Sequence, residues 1–402
     1  MLPVYRRSFL KKLFITTIGL VLILFIARFQ LHKTKRSAPS IYLKRPHLQL
    51  EQNGDYWIYN NFMQSKTNLK GNMSLTLTTH GTYRDFNHMK WLLVRWSAPI
   101  SIAVYVGEND YEQLLESLYY IKYCTVFSLS WPHWISMQLV FHDKHMPQLL
   151  YRISSERPEG FSCRRFSNEE TKYGTTLAKH RLTTKYPLNL LRNVARLNAQ
   201  TYYVFALEPG MLPTRNLAVK FLQFVHLQPT FKTHKSVYCL PVFPPMGEDV
   251  TLPKYKSDLK IRLKPYLNGS IILSPAETKQ LNNFRPWLDN PVRDGDIVRY
   301  SIADQPHLCP VYISSNAYEP LYDQRYGNST SDSNFMHMQV LAGLGFDFVV
   351  LDGSFIIRRQ SNWQTDVSTN VADRILSTVE QKHIREVIKM NVLAERTPFL
   401  VA

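Results

Sequence analysis

The sequence predicts an α/β fold in which a mostly parallel sheet is flanked by helices on both faces. The first observation is a strand, a helix and a second strand within residues 74–106, which is enough chain for a βαβ unit. The second is the stretch 202–213, YYVFALEPGMLP, where β-prone residues lead into an acidic residue, Pro and Gly. A buried parallel strand that ends in a tight turn has this pattern. The third is that strand and helix patterns alternate along the chain, as they do in parallel sheets.

The N-terminal region predicts a membrane anchor. Basic residues flank an uncharged run over 13–27. As a helix this run rises about 22 Å, short of a hydrocarbon core of roughly 30 Å, but Lys12 and Arg28 can snorkel. A cleaved signal peptide is the alternative, and bulky Phe25 near Ala27 makes a poor cleavage site. We therefore predict a cytoplasmic tail (1–12), a transmembrane signal anchor (13–28), a polar and basic stem (29–70) and a lumenal domain (71–402).

The predicted domain then alternates its elements. Apolar residues recur at helical spacing over 86–96, and Pro99 ends that helix before the next strand. Weak patterning over 147–184 predicts a long surface connection. Pro187 suits the first position of the helix that follows, where a missing amide costs nothing. The predicted strands are 74–79, 100–106, 135–141, 202–207, 237–242, 311–313, 346–351 and 355–358, and the predicted helices are 86–96, 111–123, 187–196, 214–225, one that starts at 274, and 372–394.

Charge and sequons bear on the compartment. The formal net charge of +17 fits nucleic acid, an anionic membrane or an anionic ligand as partner. Asn72, Asn268 and Asn328 each begin an N-glycosylation sequon, which favours a lumenal domain. A lumenal domain excludes nucleic acid, so the positive charge is expected to face phosphate, acidic glycans or lipid.

All four cysteines lie beyond the predicted anchor. Their spacing contains no Cys-x-x-Cys pair that would indicate zinc. Two disulfides and four buried thiols both fit this pattern. The four are Cys124, Cys163, Cys239 and Cys309.

Several ordered segments resemble glycosyltransferase family 49, the LARGE-type and β-1,4-glucuronyltransferase-type Golgi enzymes. They occur in the order that the family has, and they cover most of residues 74–360. The segments are 76–79, 96–104, 186–196, 202–213, 320–326, 345–351 and 355–357. The resemblance implies a single-pass type II Golgi membrane protein with a GT-A fold, which transfers a sugar from a UDP-sugar to a glycan acceptor.

The resemblance also implies Mn²⁺ as cofactor. In such enzymes an Asp-x-Asp turn and a later His hold a divalent cation, which neutralises the leaving diphosphate. The aligned turn here is Glu208-Pro209-Gly210, and Arg358 stands at the His position. Glu208 is therefore the one remaining candidate metal ligand. An arginine cannot ligate a metal, but it can bind phosphate bidentately, so Arg358 is a candidate donor-binding residue.

Further candidates flank this turn. Asp323 remains where the family pattern usually reads Asp-Glu-Arg-Phe, and it is the candidate base for deprotonating an attacking hydroxyl. Thr79, Arg192 and Asn193 are candidate donor-side residues. Each candidate also has a purely structural alternative. Glu208 is then a turn carboxylate, Arg358 a surface arginine, and Arg192 and Asn193 lie on a solvated helix face. Three hypotheses for the whole protein follow: a glycosyltransferase, a catalytically inactive relative that binds glycan or assists another transferase, or an unrelated basic lectin.

Overall fold

The computed structural model describes residues 49–67, 73–108, 110–150, 156–164, 186–227, 235–246, 252–302, 309, 311–325, 330–359 and 386. The strands in these residues are β1 (Leu50–Asn53), β2 (Tyr56–Met63), β3 (Leu75–Gly81), β4 (Ile100–Val106), β5 (Ile135–His142), β6 (Tyr203–Ala206), β7 (Met211–Pro213), β8 (Ser236–Cys239), β9 (Val242–Met246), β10 (Val298–Ile302), β11 (Tyr312–Ser315), β12 (Asp347–Asp352) and β13 (Ile356–Arg359). The α-helices are α1 (Phe86–Trp96), α2 (Asp110–Cys124), α3 (Ser130–Trp134), α4 (Leu188–Leu197), α5 (Leu217–Leu227), α6 (Lys256–Leu267), α7 (Pro275–Asn283), α8 (Arg285–Asp289) and α9 (Thr330–Gly343).

Ten of these strands form one sheet in the order β1-β2-β5-β4-β3-β6-β11-β8-β12-β10. Adjacent strands are parallel within the run β5-β4-β3-β6, and β8 is parallel to β12. The remaining pairs are antiparallel. The predicted α/β fold is confirmed as a mixed sheet flanked by helices. Parallel pairing occupies its centre, where helical crossovers connect the strands.

The core shows why helices lie on both faces. Every residue of β4 is buried. Ile102 and Val104 pack in one cluster with apolar residues of α1 and α2, whereas Ala103 and Tyr105 pack in another with the apolar side of α4. Alternate residues of a strand point to opposite faces. The sheet is therefore covered on both sides, and α4 lies on the face opposite α1 and α2.

A small second sheet adjoins the end of β6, in the order β7-β13-β9. Strand β7 begins three residues after Glu208, and it pairs with β13 so that Arg358 lies opposite Met211. The sequence predicts a single strand over 237–242, whereas the structure splits it between β8 in the large sheet and β9 in the small one. This split carries the chain from one sheet to the other.

The structure differs from the sequence prediction over part of the stem. Residues 50–63 lie within the predicted stem, yet they form the hairpin β1–β2, which joins the large sheet through β5. Strand β1 is largely exposed at the sheet edge, while Tyr59 and Phe62 of β2 enter the core. The hairpin joins the sheet by pairing with β5, far along the chain, and the local sequence does not show this pairing.

Other predictions fall outside the described residues. These are the tail and anchor (1–28), most of the surface connection 147–184 and the closing helix 372–394. None of the helices in the described residues has the length and apolar content that crossing a membrane requires.

The cysteines form two disulfides. Cys124 pairs with Cys163, and Cys239 pairs with Cys309. The sequence left disulfides and free thiols open, and the structure decides for disulfides. The second one ties β8 to the residues just before β11.

Candidate functional site

The turn after β6 is shaped by its own sequence. The backbone amide of Met211 donates a hydrogen bond to the carbonyl of Glu208 at 3.2 Å, so Pro209 and Gly210 occupy the two central positions. Gly210 has φ +78°, a left-handed conformation that the second central residue of such a turn needs and that glycine adopts without strain. The glycine that replaces a family aspartate is therefore also the residue that this backbone favours.

The side chain of Glu208 is held by His80 and by Arg192. One carboxylate oxygen accepts a hydrogen bond from His80 Nε2 at 2.9 Å. The other accepts from Arg192 Nε at 3.1 Å and also from Arg192 Nη2. His80 lies near the end of β3, which is the parallel neighbour of β6. Because the carboxyl ends of parallel strands meet at one sheet edge, His80 and Glu208 come together there.

This cluster favours charged Glu208. Burial alone would raise the pKa of the Glu208 carboxyl, but the electrostatic effects of Arg192 and His80 and their hydrogen bonds hold that pKa well below its usual range. Burial lowers the pKa of Arg192, but the opposing effects of Glu208, Tyr322 and Tyr312 together exceed it, so the net shift is upward. The hydroxyl of Tyr186 contacts His80 Nδ1 at 2.7 Å and completes the cluster.

Asp323 lies on the segment 320–325, close to helix α4, whose Asn189 binds the Asp323 carbonyl. Its carboxylate forms an ion pair with Arg325 at 2.7 Å. Burial raises the pKa of Asp323, but the hydrogen bonds and charge of Arg325 outweigh this effect and lower it overall. Asp323 is consequently ionised and able to accept a proton, but Arg325 weakens it as a base.

Arg192 is in contact both with Glu208 and with Tyr322, the residue before Asp323. Besides Glu208, its guanidinium lies 4.9 Å from the centroid of the Tyr322 ring. The ring of His337 also stacks on the Tyr322 ring, with 4.0 Å between the centroids. Arg192 itself is only 5% exposed. Glu208 and Tyr322, which precedes Asp323, are therefore both in contact with the buried Arg192.

The other predicted site residues have different surroundings. Asn193 is buried and uses its amide on the backbone of Tyr322. Thr79 is buried in β3, one position before His80, so the two side chains point to opposite faces of the sheet. Arg358, the predicted phosphate ligand, is exposed on β13 opposite Met211. Its guanidinium is therefore accessible to a ligand from solution.

Sequence reasoning missed His80 and Tyr186 as members of the cluster. In the sequence, His80-Gly81 directly follows the predicted strand 74–79. A histidine at the carboxyl end of a predicted parallel strand is itself a signal, because ligands of open α/β sheets bind at that edge. Tyr186 carries no comparable signal, since only folding places its hydroxyl beside His80.

A family model described as "Glycosyl-transferase for dystroglycan" matches residues 74–394. The chain belongs to glycosyltransferase family 49. The match spans the turn at Glu208, the helix α4 and the segment that carries Asp323, and it confirms the resemblance seen in the sequence.

Known proteins similar to this family 49 member include two glycosyltransferases. Beta-1,4-glucuronyltransferase 1 of Bos taurus is 24% identical over 329 residues, which are 77% of this chain and 73% of that protein. The xylosyl- and glucuronyltransferase LARGE2s of Gallus gallus is 29% identical over 191 residues, 46% of this chain and 24% of that protein. Among solved structures, S. aureus TarS 1-349 in complex with UDP is 10% identical, covers 81% of this chain and 72% of that chain, and has a TM-score of 0.34. This last likeness is too weak to carry an argument.

The family metal does not fit the residues of this family 49 member. Both carboxylate oxygens of Glu208 are occupied by His80 and Arg192. Gly210 has no side chain, and the guanidinium of Arg358 cannot ligate a metal. Within the described residues, no group of three or more His, Cys, Asp or Glu side chains could hold an ion. No catalytic step through a metal ion follows from this arrangement.

Proposed function

We propose that this family 49 protein transfers a sugar from a UDP-sugar to a glycan acceptor without a bound divalent cation. Membership of a glycosyltransferase family supports the reaction class. The observation that carries the metal-free form is the pairing of Glu208 with Arg192 and His80 at the turn where the family places its metal ligands. The names of the two relatives make UDP-glucuronate and UDP-xylose the first donors to test.

In the proposed reaction, a hydroxyl of the acceptor attacks the anomeric carbon of the donor sugar. The bond from that carbon to the phosphate oxygen breaks, and UDP leaves with the electron pair. Asp323 takes the proton of the hydroxyl. Arg358 binds the diphosphate, because a guanidinium forms bidentate, charge-assisted hydrogen bonds with phosphate oxygens.

We also propose a location in the Golgi membrane, with residues 1–12 as tail, 13–28 as anchor and the body in the lumen. Two disulfides support an oxidising compartment. Asn268 is exposed at the end of α6, where a glycan could be attached. Asn72 and Asn328 lie outside the described residues.

A second candidate function is a non-catalytic relative that binds glycan or assists another transferase. The ion pair between Asp323 and Arg325 favours it, because it weakens the one candidate base. Metal dependence and turnover separate the candidates.

The test is hydrolysis of UDP-glucuronate, UDP-xylose and UDP-glucose by the detergent-solubilised full chain, with Mn²⁺ or with EDTA. Turnover that EDTA leaves unchanged is expected. Loss of turnover in EDTA would contradict the metal-free proposal. Absence of turnover together with absence of UDP binding in calorimetry would favour the non-catalytic candidate.

The role of Arg358 is tested in the same calorimetric measurement. Arg358→Ala should weaken UDP binding by roughly 10-fold or more, because this is the usual contribution of a hydrogen bond to a charged group. Arg299→Ala is the matched control, since Arg299 is an exposed strand arginine on β10 at the far edge of the large sheet. Equal UDP affinities in the two variants would exclude Arg358 from the donor site.

A further inference from the structure

Helix α4 presents a stripe of four polar residues that water does not reach. They recur at positions i, i+3, i+4 and i+7, which lie on one side of a helix. All four are 5% exposed or less. The opposite side, with Leu191 and Val194, packs on the sheet. The stripe, called here the polar stripe of α4, consists of Asn189, Arg192, Asn193 and Arg196.

The stripe binds the main chain of the segment 316–323. The guanidinium of Arg196 donates to the carbonyl of Pro320 at 2.6 Å and to that of Asn316 at 3.0 Å, and it also donates to the carbonyl of Glu319. Three carbonyls within five residues thus converge on one side chain. Such contacts fix the path of the backbone whatever side chains the segment carries.

The polar stripe of α4 also binds the backbone at Asp323, the candidate base. The side-chain amide of Asn193 donates to the carbonyl of Tyr322 at 2.8 Å and accepts from the amide of Tyr322 at 2.8 Å. Asn189 donates to the carbonyl of Asp323 at 2.7 Å. The side chain of Asp323 is therefore attached to a backbone that α4 holds on both sides of its own Cα.

The same stripe reaches the donor-side turn. Arg192 binds Glu208, and its Nη1 donates to Ser333 of α9 at 2.8 Å. Within the described residues, one helix face therefore contacts the turn after β6, the segment 316–323 and α9. A buried polar network of this kind has one satisfied arrangement and is costly to disturb.

We propose that the polar stripe of α4 sets the position of Asp323 relative to the Glu208 turn, with Asn193 as the chief positioning residue. This inference rests on the proposed function, since it concerns the geometry of that transfer. Asn193 does not touch the reacting groups; it acts by holding both polar groups of the Tyr322 backbone. A small displacement of a positioned base can lower turnover by about 100-fold.

The test compares Asn193→Ala with Asn198→Ala in the full chain. Asn198 is a matched control because its amide, at the end of the same helix, binds Asn60 at 2.9 Å and the carbonyl of Val194 at 3.0 Å, away from the segment. Amide hydrogen exchange at Tyr322 and Asp323 should be at least about 10-fold faster in Asn193→Ala than in the wild type, and unchanged in Asn198→Ala. The exchange measurement needs no substrate.

Turnover gives the second readout. For hydrolysis of UDP-glucuronate, kcat should fall by about 100-fold in Asn193→Ala while KM stays within about twofold, because the donor-side turn is unchanged. Asn198→Ala should leave both constants within about twofold of wild type. A kcat loss in Asn193→Ala no larger than in the control, or unchanged exchange at Tyr322, would overturn the proposal.

Failure of the proposed function has a different signature. A wild-type chain without turnover on any of the three UDP-sugars contradicts that function, whereas unchanged exchange in Asn193→Ala contradicts the positioning role. If Asn193→Ala does not fold, Asn193→Asp replaces it. Because that variant keeps the acceptor for the Tyr322 amide and loses only the donor to its carbonyl, Asn193→Leu is measured beside it, since leucine fills the same volume and loses both hydrogen bonds. Exchange at Tyr322 faster than wild type is expected in Asn193→Leu, and unchanged exchange there counts against the proposal.

Discussion

At the scale of single residues, Glu208 is the position where a charge is buried at a strand end. Its side chain is 16% exposed and that of Arg192 is 4% exposed. Because a buried ion without its partner is far more costly than an exposed one, the two charges depend on each other. The carboxylate therefore contributes to stability whether or not it contributes to chemistry.

Replacing Glu208 with Ala should destabilise the protein by about 3–5 kcal/mol, since Arg192 is left buried without its counter-charge. Urea unfolding followed by circular dichroism measures this change. Asp289→Ala is the control, because Asp289 and its partner Lys260 are both exposed and such pairs contribute little. Equal midpoints and slopes for the two variants would show that the Glu208 cluster is not a buried ion pair in solution.

Arg325 sets the pKa of Asp323, which gives a prediction about pH. The pKa of Asp323 is lowered overall, because the hydrogen bonds and charge of Arg325 outweigh the opposing effect of burial. Arg325→Ala therefore raises this pKa. Since the base must be ionised to accept a proton, the acid limb of the kcat/KM profile should move to higher pH.

The control for this prediction is Arg325→Lys, which keeps a positive charge beside Asp323. Its acid limb should move less than that of Arg325→Ala. The measurement is the pH profile of UDP-glucuronate hydrolysis over the acid limb. An acid limb that is the same in all three proteins would mean that Asp323 is not the base.

At the scale of elements, α4 shows how a helix can be predicted while its surroundings are not. The sequence places the helix at 187–196, and the structure has it at Leu188–Leu197. Polar residues along one face predict exposure to water. Here the segment 316–323 covers that face, so the polar stripe is buried. Three of its residues, Asn189, Asn193 and Arg196, bind backbone groups from more than a hundred residues away.

The apolar side of the same helix gives a stability prediction. Leu191 is fully buried between α4 and the sheet, and Leu191→Ala should cost about 2–5 kcal/mol through lost burial and the cavity it leaves. Leu197 ends the same helix and is 44% exposed, so Leu197→Ala should change stability by about 0.5 kcal/mol or less. Urea unfolding compares them. Similar losses for both would mean that α4 does not pack on the sheet through Leu191.

At the scale of the whole molecule, the disulfides relate the fold to its compartment. The structure contains no free cysteine among the four in the chain. Cys239–Cys309 closes a separation of 70 residues between β8 and the residues just before β11. Cross-links of this span restrict the unfolded chain and typically contribute about 2–5 kcal/mol in secreted domains.

Thiol labelling tests this arrangement in protein purified from the secretory pathway. Denatured but unreduced chain should take up no alkylating reagent, and reduced chain should take it up at all four cysteines. Peptide mapping should join Cys124 to Cys163 and Cys239 to Cys309. Labelling of Cys239 without reduction would contradict the pairing and weaken the proposed lumenal location.

The sequence by itself determined the α/β class, the strand that ends at Glu208, the family and the loss of the family metal motif, because periodicity and turn chemistry are local properties. Only the tertiary structure decided what surrounds Glu208. His80 is 128 residues from it in the chain, and the parallel register of β3 with β6 and the packing of α4 bring His80, Tyr186 and Arg192 to one sheet edge. The sequence did not predict the hairpin β1–β2, because its pairing with β5 joins residues that are far apart in the chain. It did not predict that the polar stripe of α4 is covered, because no local pattern records which segment lies over a helix.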